Sequence, residues 1–247
     1  MIRRPAAWHV ATLVAASAET SHARRLVFDV PTWPGNDAGA HVDVRLTAPD
    51  GYQATRSYSL ASSGEGTRIT LAVDEVPTGE VSPFLVHDLQ VGDPVEVHGP
   101  LGAFFIWTPP AAPAAPPVQL IAGGSGVVPL YAIASAHAAS GDQTRLRMLY
   151  SVRTPADVFF RSELQSFTTT AHPLELDFIY TRRAPQEYHS APGRVTREQL
   201  TALTWDAASD PLVYVCGPTS FVETVAEWLV AAGHHPGRVR TERFGGT

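Results

Sequence analysis

Residues 108–117 read TPPAAPAAPP, a stretch that neither helix nor sheet can sustain, because proline fixes φ and carries no amide donor. It therefore marks a Pro/Ala-rich linker, residues 109–117, between a domain over residues 1–108 and a second over residues 118–247. On its N-terminal side lie short β-type runs, RRLVFDV, HVDVRLTA, TRSYSLAS, TRITLAVDE and DPVEVHG, broken by Pro, Gly and Asp. That spacing predicts a small antiparallel β-barrel. On its C-terminal side compact apolar strands alternate with helical stretches: VQLIAGG, PLYAIASAHAAS, LRMLYSV, PADVFFRSELQSF, LELDFIYT, TREQLTAL, PLVYVCG and TSFVETVAEWLVAAG. Such alternation predicts βαβ units around a Rossmann-like parallel sheet. Thr196 with Gln199 fits a capping box, and Gly233 closes the last helix.

Composition narrows the function before any motif is considered. With 247 residues and 44% hydrophobic content the chain can bury a core for each domain. A net charge of -6 gives no basic footprint, so nucleic acid is not an expected partner. All 18 cationic residues are Arg, which excludes Schiff-base chemistry and a Lys-dependent phosphate loop. Cys216 is the single cysteine, so an internal disulfide, a thiolate-held iron-sulfur cluster and a Cys-based zinc site are excluded. The start, MIRRPAAWHVATLVAASA, has the outline of a secretory signal, with Arg3 and Arg4 before an apolar run. Trp8 and His9 interrupt it, and Val10, Thr12 and Val14 have strand chemistry. No run reaches the roughly 18 apolar residues of a membrane span. A first strand and a cytoplasmic protein are expected.

Several segments carry ligand-like chemistry. In RSYS, residues 56–59, the two-residue period places Arg56 and Tyr58 on one face, and Ser57 between them is counted among the cofactor-binding residues. A guanidinium fork and a phenol ring can then meet one extended ligand, phosphate at one end and a flat heterocycle at the other. The Ser59 hydroxyl can serve a ring nitrogen. In GEVSPFLVHDL, Gly79, Glu80 and Val81 lead to Ser82 as an N-cap and Pro83 as the first helical residue, a helix start suited to an anion. HGPLGAF places Gly99, Pro100 and Gly102 at a strand end. GGSGVVP sets Gly124, Ser125 and Gly126 between a strand and a helix that Pro129 can start, although it is not the GxGxxG fingerprint. Ser151 and Arg153, then Thr181, Arg182 and Arg183, then Cys216, Gly217 and Pro218 each follow a strand, at the sheet edge where open α/β folds bind ligands.

Taken in order, RxYS, Gly-x-x-Ser, GPxG, GGxGxxP, CGP and a C-terminal Glu-x-Phe resemble the ferredoxin-NADP reductase superfamily over nearly the whole chain. The resemblance implies a flavin-binding barrel and an NAD(P)-binding α/β domain. It implies that Arg56 contacts flavin phosphate, that Tyr58 and Ser59 meet the isoalloxazine ring, and that residues 79–82 take the pyrophosphate. Gly124, Ser125 and Gly126 would line the nicotinamide nucleotide's pyrophosphate, with Cys216 beside its ring. Glu242 would lie near the hydride-transfer locus, and Phe244 would cover part of the flavin. Ser59, Cys216 and Glu242 are the candidates for shaping that locus, none as a covalent catalyst, and Cys216 equally fits an inert buried thiol.

The sequence departs from the family where a basic residue commonly precedes the Gly-x-x-Ser turn, since Asp74 and Glu75 stand there. FAD is nonetheless expected over FMN. Ser151, Arg153, Arg161 and Arg182 favour the 2′-phosphate of NADPH over NADH; Arg161 can also be a solvated helix residue. Without an iron-sulfur domain in this chain, the electrons are expected to pass to an external acceptor, a small redox protein such as ferredoxin or flavodoxin, or an oxygenase component. Two alternatives stand: an NAD(P)H:flavin reductase that releases reduced flavin, and a nucleotide-binding electron-transfer subunit without turnover. His234 and His235 sit at a helix end, where charge at the dipole terminus explains them without a metal. Oligomeric state is not legible.

Overall fold

A computed structural model describes residues 6–110 and 115–244. Arg3 and Arg4, residues 111–114 of the proline-rich stretch and the last three residues lie outside the described residues. The chain forms two compact units, Met1–Thr108 and Pro109–Thr247.

The first unit is an antiparallel sheet of β1 (Ala7–Thr20), β2 (Ala23–Asp29), β3 (His41–Thr47), β4 (Gln53–Ser59), β5 (Arg68–Asp74) and β6 (Pro94–Leu101), in the order β4-β3-β6-β1-β2-β5. The outer strands meet through a Leu60–Leu71 bridge and the Ala61 amide, which donates to Thr70 O at 2.8 Å, so the sheet closes on itself as the expected barrel. Alternating residues such as Leu26, Phe28, Val42, Val44, Ile69, Leu71, Val95 and Val97 fill its interior. The signal-like start becomes β1, whose Ala11 and Leu13 join that core.

One local expectation is corrected here. Ser82 is not the N-cap: Pro83 holds that position without a side-chain cap, before a π-helical turn over Phe84–Asp88. Ser82 is buried, and its Oγ accepts instead from Val76 N at 3.0 Å, which ties off the preceding turn. Gly99 and Pro100 stand among the last three residues of β6, and Gly102 follows its end at φ 108°, as the sequence predicts. A Cβ on Gly99 would stand 2.9 Å from Val42 Cγ1 and 3.1 Å from the Trp33 ring, so glycine is needed for core packing. The π-helical turn is pinned by buried Leu85 and by Arg24, whose Nη1 donates to Leu85 O at 3.2 Å and Leu89 O at 2.8 Å.

The second unit is a parallel sheet of β7 (Val118–Gly123), β8 (Leu146–Val152), β9 (Leu174–Tyr180), β10 (Leu212–Pro218) and β11 (Val239–Phe244), in the order β11-β10-β7-β8-β9. Helices α1 (Val127–Ser140), α2 (Arg161–Phe167), α3 (Arg197–Ala202) and α4 (Thr219–Ala231) connect or flank it. Every residue of β7 is buried, as a central parallel strand covered on both faces requires. Thr196 and Gln199 form the expected capping box, and Gly233 ends the last helix at φ 99°.

Residues 155–167 do not form one helical stretch. A 3₁₀ turn over Pro155–Asp157 is followed by buried Val158, Phe159 and Phe160, and α2 starts only at Arg161. Phe160 adopts φ 52° and stacks on Tyr131 at 3.9 Å between ring centroids, a tertiary contact that overrides helical continuity. Helix α1 begins at Val127, two residues before Pro129. The chain end adds β11, a strand outside the anticipated set.

Candidate functional site

In the first unit, β3–β4 register sets the side chains. Val44 faces Arg56 and Val42 faces Tyr58, so both residues rise from the core-facing side of the sheet. Tyr58 is half-buried against the core, and burial pushes its phenol up to about 12, which keeps the hydroxyl protonated. Arg56, two residues nearer the exposed end, reaches outward instead. Its Nη1 donates to Thr55 O at 2.8 Å and its Nη2 to Glu80 Oε2 at 2.8 Å. Tyr52, which the sequence did not single out, donates its hydroxyl to Glu80 Oε1 at 2.7 Å. The RSYS strand and the 79–82 segment are thus brought together, and Arg56 already holds an anion of that turn. Ser57 points to the other face, where its Oγ donates to Asp43 Oδ1 at 2.6 Å, so it does not share the Arg56–Tyr58 side. Ser59 pairs with His41 across the strands.

The turn itself is tight. The Gly79 amide donates to Val76 O at 2.7 Å, and a Cβ there would stand 3.0 Å from the same oxygen. Asp74 and Glu75, the acids that departed from the family pattern, are engaged by imidazoles: His22 Nδ1 lies 2.7 Å from Asp74 Oδ1 and His87 Nε2 lies 3.1 Å from Glu75 Oε1. Val81 is fully buried and anchors the segment.

In the second unit, chain order makes a reversal between β7 and β10: from β7 the chain builds β8 and β9 on one side, then returns to place β10 on the other. Such a switch point opens a crevice at the carboxyl ends of the strands. Gly124–Gly126 forms a 3₁₀ turn there, leading into α1. A Cβ on Gly126 would stand 2.3 Å from Cys216 O, so the glycine loop after β7 and the Cys-Gly-Pro end of β10 lie backbone against backbone. Gly124 has φ 56° and open space where a Cβ would sit. Phe221, also unanticipated, packs under both strand ends: a Cβ on Gly123 or on Gly217 would meet its Cδ1 at 2.8 Å. An aromatic three residues after Pro218 was the available signal.

Cys216 is 1% exposed, and burial, reinforced by the charge of Glu242, raises its thiol well above the usual range. Glu242 is its register partner on β11, and burial pushes that carboxyl up to about 7. Phe244 pairs with Pro218 at the same strand end and is 37% exposed. Farther along the edge, Ser151 is buried beside Gly123, whereas Arg153, Arg161 and Arg182 are exposed. The Arg182 and Arg183 amides donate to Arg153 O at 3.0 and 3.2 Å, which brings the ends of β8 and β9 together. Arg161 hydrogen-bonds the Tyr180 phenol, whose pKa is raised chiefly by burial, and Tyr188 meets the Tyr180 ring edge-on at 5.2 Å. Among the described residues no group of three or more His, Cys, Asp or Glu side chains could hold a metal ion, and no helix is long and apolar enough to cross a membrane.

The donor sets fit phosphate-bearing cofactors. Arg56 is engaged by an anion beside a half-buried aromatic, as a nucleotide with a flat ring requires. Gly124, with its space open, lets backbone amides approach a pyrophosphate at the start of α1.

Comparison with known proteins agrees. The Oxidoreductase FAD-binding domain family matches residues 11–106, and the Oxidoreductase NAD-binding domain family matches residues 120–227. The chain is 29% identical over 212 residues to the toluate 1,2-dioxygenase electron transfer component of Pseudomonas putida, covering 83% of this chain and 58% of that protein. It is 31% identical over 198 residues to NADH-cytochrome b5 reductase 1 of Lodderomyces elongisporus, covering 79% of this chain and 64% of that protein. The chain therefore spans less than two thirds of these relatives. The Amycolatopsis cytochrome P450 reductase superposes with a TM-score of 0.85 at 24% identity, over 99% of this chain and 72% of that one, a likeness of fold.

Proposed function

Because the chain belongs to the ferredoxin-NADP reductase superfamily, with an FAD-binding domain followed by an NAD-binding domain, we propose that it is an FAD-dependent NAD(P)H oxidoreductase serving a separate electron acceptor. The observation that carries this reading is the pairing, in one chain, of an anion-engaged Arg56 beside Tyr58 with a glycine loop held against Cys216 at a sheet switch point. When bound, the flavin supplies hydride acceptance and release of electrons in one or two steps.

The residues supply binding and alignment. Arg56 and the 79–82 turn hold the flavin phosphates, and Tyr58, kept protonated by burial, lies along the ring and donates from its hydroxyl. Ser59 serves the ring edge. Gly124, Ser125 and Gly126 seat the nicotinamide dinucleotide, while Cys216, Gly217 and Pro218 form the wall beside its reactive ring. Cys216 shapes that wall as a neutral thiol. Glu242, with a carboxyl near neutrality, can hold a proton behind it. Phe244 stands exposed at the end of β11, beside Pro218. Arg153 and Arg182, drawn together by the β8 and β9 ends, and Arg161 beside Tyr180 favour NADPH.

The acceptor is a small redox protein or an oxygenase component, a reading supported by the name of the Pseudomonas relative. The lone buried thiol suits the cytoplasm. The occupation of Arg56 by Glu80 favours one second reading, a reductase whose flavin exchanges readily. The test is an anaerobic titration of the purified yellow protein with NADPH and NADH, followed by candidate acceptors. Bleaching by NADPH and recovery of colour with an acceptor support the proposal. A protein that binds no flavin, or whose flavin no nicotinamide nucleotide bleaches, overturns it.

A further inference from the structure

Glu80 occupies the second position of the Gly-x-x-Ser turn, where its charge opposes a phosphate. It is exposed, yet both of its oxygens are engaged within the chain. Its two oxygens are divided between Arg56 Nη2 at 2.8 Å and the Tyr52 hydroxyl at 2.7 Å. These hydrogen bonds, led by the one from Tyr52, hold the Glu80 carboxyl below its ordinary range, so it is an anion at neutral pH. Three segments converge on it: the end of the β3–β4 connection through Tyr52, β4 through Arg56 and the turn after β5 through Glu80 itself. The guanidinium that β4 offers to a ligand already donates to two partners within the chain.

We propose that Glu80 is an internal phosphate mimic, which occupies Arg56 in the flavin-free protein and must surrender it when a phosphorylated flavin binds. The inference rests on the flavin-binding reading of the first unit. Its physical basis is competition for one planar donor fork. The Nη2 N–H that Glu80 holds is one fewer for a phosphate to receive, and a carboxylate left beside a pyrophosphate repels it. Both effects weaken binding in proportion to ligand charge. Riboflavin, which has the ring and no phosphate, escapes both. Glu80 thereby sets how readily the barrel exchanges FAD or FMN, while leaving recognition of the ring to Tyr58. Arg56 and Glu80 are 53% and 47% exposed, so the effect is modest and salt-sensitive.

The experiment measures dissociation constants of the full-length chain for FAD, FMN and riboflavin by equilibrium dialysis, for the native protein, Glu80→Gln, Arg56→Gln and the double variant. Glu80→Gln is expected to tighten FAD and FMN by roughly threefold to tenfold at low salt, with riboflavin unchanged and the gain shrinking at high salt. In the Arg56→Gln background the gain should fall, because the contested donor is gone. Unchanged or weaker FAD binding by Glu80→Gln, with native affinity for riboflavin, overturns the mimic and leaves the flavin reading intact. An equal gain for riboflavin also overturns it, since phosphate would then be irrelevant. Absence of flavin binding by the native protein and every variant overturns the functional reading and this inference together.

Discussion

Cys216 of β10 and Glu242 of β11 are register partners across a parallel strand pair, and the Glu242 charge adds to the burial that keeps the Cys216 thiol protonated. Burial pushes the Glu242 carboxyl to about 7 from 4.5, so the folded chain holds a proton that the unfolded chain releases near 4.5. The associated stability is fully present below about 4.5 and is lost as pH rises through about 7. Glu242→Gln, which cannot ionise, should therefore gain on the native protein as pH rises, by up to roughly 3 kcal/mol at pH 8. Denaturant midpoints measured from pH 5 to pH 8 check this. A constant offset between the two proteins would show that Glu242 titrates as an ordinary carboxylate.

The same burial bears on Cys216, which is 1% exposed with its thiol raised well above the usual range. The reactive species toward an alkylating agent is the thiolate, so native Cys216 should resist iodoacetamide at pH 8 and react promptly in denaturant. Mass spectrometry of timed samples reads the difference. Rapid modification of the folded chain would contradict the buried placement and restore a nucleophilic role.

These groups differ in how far the sequence exposed them. Strand β7 was legible because a central parallel strand reads as a compact apolar run, which Gln119 alone interrupts. Arg56 and Tyr58 shared a face because strand period is a property of the backbone. What lay hidden depended on distant partners. Ser82 had the chemistry of an N-cap, but Val76 N claims its Oγ from across a turn. Phe160 leaves the helical path for a stack with Tyr131, 29 positions earlier in the chain. The last strand, VRTERF, shows no apolar alternation, because a parallel edge strand needs only Val239 fully inside. Tyr52 as a partner of Glu80, 28 positions away, left no local trace.

Gly126 supports a sharper expectation. A methyl group at this residue would lie 2.3 Å from Cys216 O, a backbone atom that cannot rotate aside. Gly126→Ala should cost about 1–3 kcal/mol by overpacking and should separate the β7 loop from the β10 end. NADPH binding, measured by calorimetry, should weaken more than tenfold, an order-of-magnitude expectation from loss of close backbone approach to a pyrophosphate. FAD binding, which uses the other unit, should stay near native. Loss of both cofactors together would indicate general unfolding and defeat the local interpretation.

On the proposed reading, Arg153 governs the choice of nicotinamide nucleotide. It follows β8, it is exposed, and its carbonyl receives the Arg182 and Arg183 amides, so three guanidinium-bearing residues gather at the ends of two neighbouring strands. An acid in this region would favour the ribose hydroxyls of NADH and repel a 2′-phosphate. Arg153→Asp should then lower kcat/KM for NADPH by roughly tenfold to a hundredfold, since it removes one charge-assisted bond and adds a like charge. NADH turnover should change by less than about threefold, because the hydride-transfer residues are untouched. Loss through KM rather than kcat would place the effect in binding. Steady-state kinetics with both nucleotides decide the matter, and an unchanged NADPH preference would move the 2′-phosphate contact to Arg161 beside Tyr180.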